Sequence, residues 1–93
     1  MIHLLIIHQV ENYTAWKQIF DDASGIRKAA GEISFQVFKY HDEPDKIVHL
    51  SIWNEKQTAA QFFNSPLLVK IRADAGVTSP EFIYLNLLES GML

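Results

Sequence analysis

Ile2-His3-Leu4-Leu5-Ile6-Ile7-His8-Gln9 opens the chain with a run that is apolar on two sides. Successive side chains of a strand point to opposite faces, so Ile2, Leu4 and Ile6 share one face while His3, Leu5 and Ile7 share the other. A strand written this way is buried on both sides. The rest of the chain must therefore cover two faces of whatever sheet this strand joins.

Downstream, Asn12 is an N-cap for a helix whose apolar residues Trp16, Ile19, Phe20, Ala23, Ile26 and Ala30 recur at three- and four-residue steps. One helix of about five turns is expected, stopped by Gly31 at C′. Ile33 to His41 alternates as a strand, Asp42-Glu43-Pro44-Asp45 carries turn chemistry, and Ile47 to Trp53 alternates again, which makes a hairpin. Asn54 and Gln57 form a capping-box pattern ahead of a helix from Glu55 to Asn64. Pro66 breaks it, and Ser65 caps a second helix from Pro66 to Ala75 because proline is tolerated in a first turn but not in a helix interior. Gly76 stops that helix, Ser79-Pro80 ends the connection, Phe82 to Glu89 is the last strand, and Ser90 to Leu93 is a loosely held tail.

The resulting β-α-β-β-α-β order is the ferredoxin-like α+β motif, with strand order 4-1-3-2 in a four-stranded antiparallel sheet and all helices on one face. The other face cannot be polar, because Ile83, Leu85 and Leu87 oppose Phe82, Tyr84 and Leu88 just as the two faces of the first strand oppose each other. At roughly 25 cal/mol per Å², leaving several such side chains in water forfeits several kcal/mol out of the ~5–15 kcal/mol that holds a small domain together. A second copy is the simplest cover, so a homodimer joined sheet to sheet is expected.

With 93 residues the chain makes one domain, residues 1–93, around one core. Eight Lys and Arg against eleven Asp and Glu are scattered without a cationic stripe, which argues against a nucleic-acid partner. No cysteine is present, so thiol nucleophiles, disulfides and thiolate-held clusters are excluded. The first strand is too short and too interrupted by His3 and His8 for a membrane span or a signal peptide, and the cytoplasm is the default location.

Asn12-Tyr13 with Trp16 and Phe20, the Trp53-Asn54 strand end, the Ser65-Pro66 break, and Ala75-Gly76-Val77 leading to Ser79-Pro80 together resemble the small dimeric α/β-barrel proteins. Within them the chain is most similar to the antibiotic biosynthesis monooxygenase-like domains, and the resemblance spans nearly its whole length. It implies a face-to-face dimer with a small-molecule pocket between sheet and helices in each subunit. Members include oxygenases that need neither metal nor flavin, haem-degrading enzymes, and proteins with isomerase-like or regulatory roles. The haem-degrading members carry a haem-ligating His on the second helix, and no His lies between Glu55 and Gly76 here. No cofactor and no metal are therefore expected.

Of the four histidines, His8 and His41 lie near strand ends and read as solvated, whereas His3 and His49 sit mid-strand among apolar residues. No pair has the close helical spacing of a zinc motif. On the third strand Ile47, His49, Ser51 and Trp53 share one mixed face. Brought into register with His3, Tyr84 and Asn86, this face offers two imidazoles, an indole, a phenol and an amide to a planar, partly polar ligand. His49 is the candidate base, Trp53 a stacking platform, Tyr84 or Asn86 a partner for a developing oxyanion, and His3 and Ser51 further ligand contacts. The same residues equally suit a polar seam against the dimer partner. Trp16, Phe62 and Phe63 read as core, and Arg27 and Arg72 as solvated helix residues. Two functions remain open: a cofactor-independent monooxygenase acting on a small aromatic or polyketide-like compound, and a non-catalytic dimer that binds a small molecule or has a structural or regulatory role.

Overall fold

The computed structural model describes all 93 residues. Its elements run β1 (Ile2–Val10), α1 (Tyr13–Asp22), α2 (Ser24–Ala30), β2 (Ser34–Lys39), β3 (Lys46–Trp53), α3 (Lys56–Phe63), α4 (Pro66–Asp74) and β4 (Val77–Leu85). The four strands form one antiparallel sheet in the order β2-β3-β1-β4, the arrangement that the ferredoxin-like motif requires.

Side-chain parity sorts the two faces. Leu4, Ile6, His8 and Val10 of β1 and Ile47, His49, Ser51 and Trp53 of β3 point under the helices and are buried. The core beneath the helices falls into two clusters. Leu4, Ile6, Trp53, Ala59, Phe63 and Leu68 form one, and Val10, Trp16, Phe20, Ile47 and Ala75 form the other. The opposite face carries Leu5, Ile7, Val48, Leu50 and Ile52, half-buried by their neighbours, with Ile83, Leu85 and Phe38 exposed beside them. This is the apolar second face expected from the two-sided strands. No helix is long and apolar enough to cross a membrane.

Three local expectations are corrected. The single five-turn helix is two, broken at Ala23 (φ −86°, ψ 0°) just before Ser24-Gly25, a pair whose weak helix propensity makes it a natural bend. The Asn54–Gln57 capping box is not made. The chain uses Asn54 and Glu55 to turn off the sheet, and α3 starts at Lys56 with Glu55 as an N-cap that forms no side-chain cap bond. β4 begins at Val77 rather than Phe82 and ends at Leu85 rather than Glu89. It is an edge strand paired only with β1, so Pro80 removes no ladder bond the sheet needs. The register slips between Ile7 and Gln9, setting His8 against both Ser79 and Pro80 in a bulge, where Ser79 takes φ +48°.

Candidate functional site

The bend before Ser24-Gly25 sets α2 so that Arg27 lies inward, and Gly31 stops that helix with φ +126°. Only glycine holds that conformation at low cost, and a Cβ here would also meet the Trp53 ring at 3.4 Å. The turn drops Glu32 beneath the sheet before Ile33 joins the ladder through Ile52 at 2.8 Å. The Glu32 side chain is only 4% exposed, yet both of its carboxylate oxygens are paired. Arg27 Nε donates to Oε1 at 2.6 Å, while Oε2 accepts from Ser51 Oγ and lies 2.7 Å from His49 Nε2. Trp53 Nε1 donates to Ser51 Oγ at 2.6 Å, and Arg27 also donates to the Phe20 carbonyl while its guanidinium stacks on the Phe20 ring at 3.8 Å.

This set is a closed polar network inside an apolar shell. Burial by itself pushes the Glu32 carboxyl up, but the hydrogen bond and charge of His49, with the Ser51 and Arg27 bonds, bring it net below its usual range. An ionised Glu32 is acceptor-only, so Nε2 of His49 carries the hydrogen that is shared with it. In a neutral His49 the lone pair then resides on Nδ1.

Between the two core clusters lies a cavity of about 50 Å³. Its floor is formed by His8 and His49, diagonal neighbours on β1 and β3 since His8 pairs with Ile47 and His49 with Ile6, and Trp16, Phe20 and Phe63 wall it. Half-buried Ile19, Ile71 and Arg72 form its rim. Arg72 donates to the Phe63 carbonyl at 2.8 Å, stacks over Phe82 and has no carboxylate partner. Burial lowers its pKa from the ordinary guanidinium range. His8, only 4% exposed, has no protein partner at either ring nitrogen. Burial first, then the nearby charges of His49 and Arg72, pushes its pKa down to about 3, so the ring is neutral.

Among the six residues singled out from sequence, only His49 lines this cavity. Ser51 and Trp53 share its face and are completely buried, but their polar atoms are taken up by Glu32 and by each other. Tyr84 is on the same face toward the other end of the sheet, half-buried, with Lys56 Nζ 4.9 Å from its ring centre. His3 does not join them. It pairs with Ile52 and Leu85, and its odd parity on β1 turns it to the opposite face. Asn86 lies beyond the end of β4 and is exposed.

Two further readings change. Arg27 is buried rather than solvated, because the helix bend turns it under the sheet edge toward Glu32. His8 is buried rather than solvated, because α1 and α4 cover the end of β1. No local signal marks Glu32, which follows a helix stop and belongs to no helical or strand period. For His8 a signal did exist, namely its shared parity with Leu4 and Ile6. Trp16 and Phe63 are core residues as read, and they also wall the cavity. No three His, Cys, Asp or Glu side chains are grouped to hold a metal ion.

The architecture is shared with known structures. SnoaB, a cofactor-independent oxygenase from Streptomyces nogalater, superposes with a TM-score of 0.77 over 96% of this chain and 94% of its own, at 9% identity. Proteins assigned to the antibiotic biosynthesis monooxygenases superpose similarly. One from Bordetella bronchiseptica has a TM-score of 0.78 at 12% identity, over 95% of this chain and 97% of its own. Another from Nitrosomonas europaea has a TM-score of 0.70 at 13% identity, over 96% of this chain and 100% of its own. Neither a family model nor a curated protein sequence matches the chain. The fold is that of the antibiotic biosynthesis monooxygenase-like domains, as the sequence motifs implied. At such low identity the likeness carries the backbone and not the site.

Proposed function

We propose that the chain is a cofactor-independent monooxygenase that binds a small aromatic or polyketide-like compound over the cavity between α1 and α4. The observation that carries the reading is His49 on the cavity floor, held at 2.7 Å by Glu32 outside the cavity lining, with the carboxylate-free Arg72 at the rim. Glu32 orients the ring as a positioning residue, and Nδ1 of His49 takes a proton from an acidic C–H or O–H of the ligand. Arg72 holds the anion so formed. An electron-rich anion supplies its own electron to dioxygen. Recombination forms a C–O bond, and loss of water from the resulting peroxide leaves a carbonyl. A methylene plus O₂ thus becomes a carbonyl plus H₂O, with every electron drawn from the substrate. The cavity is sized for one end of such a compound, so the remainder lies across the rim.

The working unit in this proposal is a homodimer joined through the apolar outer face, which supports it because that surface has no cover within one chain. The cysteine-free composition is compatible with the cytoplasm, where we assign it. A second reading, a non-catalytic small-molecule-binding or regulatory dimer, is favoured by one observation: the hydrogen bonds of Ser51 and Trp53 go to each other and to Glu32 rather than toward a ligand. Oxygen uptake with a panel of anthrones and hydroquinones separates the two. The enzyme reading expects uptake that His49→Ala abolishes. Uptake with none of the panel, or uptake unchanged in His49→Ala, supports the second.

A further inference from the structure

His8 takes no part in the chemistry above, yet it is the most exceptional polar group in the molecule. It is buried, faces the cavity, and neither ring nitrogen has a protein partner. Buried polar groups are almost always paired, and each one left unpaired costs free energy. Neutral imidazole has one N–H donor and one acceptor nitrogen. Whatever satisfies the ring must therefore donate as well as accept. Arg72, facing the same cavity, only donates. Its guanidinium calls for an acceptor oxygen on the same occupant.

A β-bulge in β4 lies opposite this position. His8 is set against both Ser79 and Pro80, at the only place where the β1–β4 register slips. The extra residue belongs to β4, and His8 keeps the inward parity of Leu4, Ile6 and Val10. A purely hydrocarbon ligand would seal both nitrogens from any partner. A simple carboxylate would meet Arg72 and the His8 N–H but would leave the acceptor nitrogen unserved.

We propose that His8 and Arg72 form a specificity pair that selects ligands carrying a hydroxyl and a carbonyl on one planar head: the hydroxyl donates to the free ring nitrogen of His8, and the carbonyl oxygen, with two lone pairs, accepts from the His8 N–H and from Arg72. The inference rests on the pocket reading above and adds the class of compound that the pocket prefers. It requires the hydroxyl to be free of an internal hydrogen bond to the carbonyl, because a hydroxyl already donating within the ligand has nothing to give His8. Hydroxyketones with the two groups apart on the ring meet that condition.

The test uses 3-hydroxyacetophenone against 3-methoxyacetophenone, which keeps the carbonyl and nearly the same size but removes the donor, in NMR titrations of the full chain labelled at its histidine and tryptophan ring nitrogens. The expected result is that wild type binds the hydroxyl compound about tenfold more tightly, the worth of one buried hydrogen bond. In addition, His8 ring nitrogen signals should move on binding. His8→Leu should erase the preference, and His8→Gln, which keeps a donor and an acceptor, should restore part of it. Equal binding of the two probes by wild type, with Trp16 or His49 signals shifting, would overturn the role of His8 while leaving the pocket reading intact. Failure of either probe to shift Trp16, His49 or His8 would overturn the pocket reading, and this proposal with it. The wild-type comparison stands without the variants should either fail to fold.

Discussion

The Glu32 carboxylate reaches His49 Nε2 at 2.7 Å across a sequence separation of 17 residues, from a turn after α2 to the middle of β3. Its other oxygen is held by Arg27 at 2.6 Å, so one buried anion joins a helix, a turn and the sheet. Taking such an anion away leaves the Arg27 cation uncompensated in a site that is only 5% exposed.

Glu32→Ala should consequently lower stability by roughly 3–5 kcal/mol, the cost of breaking a buried pair from one side. As a control, Asp21→Ala removes the exposed (i, i+4) partner of Lys17 and should cost only about 0.3–0.5 kcal/mol. Urea unfolding of the two variants checks the contrast, and similar losses would contradict a buried role for the Glu32 network.

Acid should destabilise the protein in two stages. The unfolded chain protonates His8 near the ordinary 6.5, but the folded chain does so only at about 3. Its contribution is therefore complete above 6.5 and declines as pH falls through that window, at about 1.4 kcal/mol per pH unit for one proton. Glu32 is depressed below its ordinary 4.5, so its contribution is present above that value and is lost only as pH falls further. His8→Leu should flatten the stability profile between pH 6.5 and 4.5 and leave the lower stage. Denaturant midpoints across that range test the assignment.

Gly31→Ala forces a side chain into φ +126° with its Cβ 3.4 Å from the Trp53 ring. A loss of about 1–2 kcal/mol is expected. At Gly25 an added Cβ would have no atom within 4 Å and φ is ordinary, so Gly25→Ala should be neutral or stabilising by up to about 1 kcal/mol. Thermal denaturation of both variants gives the comparison.

Leu50→Lys puts a charge at the middle of the outer sheet face, where the proposed partner copy would sit. Sedimentation should find wild type as a dimer at micromolar concentration and the variant as a folded monomer. A wild-type monomer at that concentration would remove the dimer from the proposed function.

Strand and helix order, the Gly31 and Gly76 stops, the Ser65-Pro66 break and the apolar outer face were all legible along the chain. Periodicity, capping and turn chemistry act over a few residues, and alternating parity shows which side chains share a face. Those rules also placed His49, Ser51 and Trp53 together on one face of β3. They were weaker at β4, where tolerance of Pro80 depends on the strand lying at an edge.

The site itself was decided by tertiary structure. Arg27, Glu32, His49 and Ser51 meet across separations of 5 to 19 residues, and no local period links a residue in a turn to a strand beyond a hairpin. His8 near a strand end looks solvated until α1 and α4 close over it, and a mixed face looks available to a ligand until Glu32 arrives to occupy Ser51. Local sequence determined which faces were apolar, because side-chain direction follows from backbone geometry alone. Only the packed chain determined which polar atoms were paired, since hydrogen bonds form between whichever groups the closed fold brings within about 3 Å of each other.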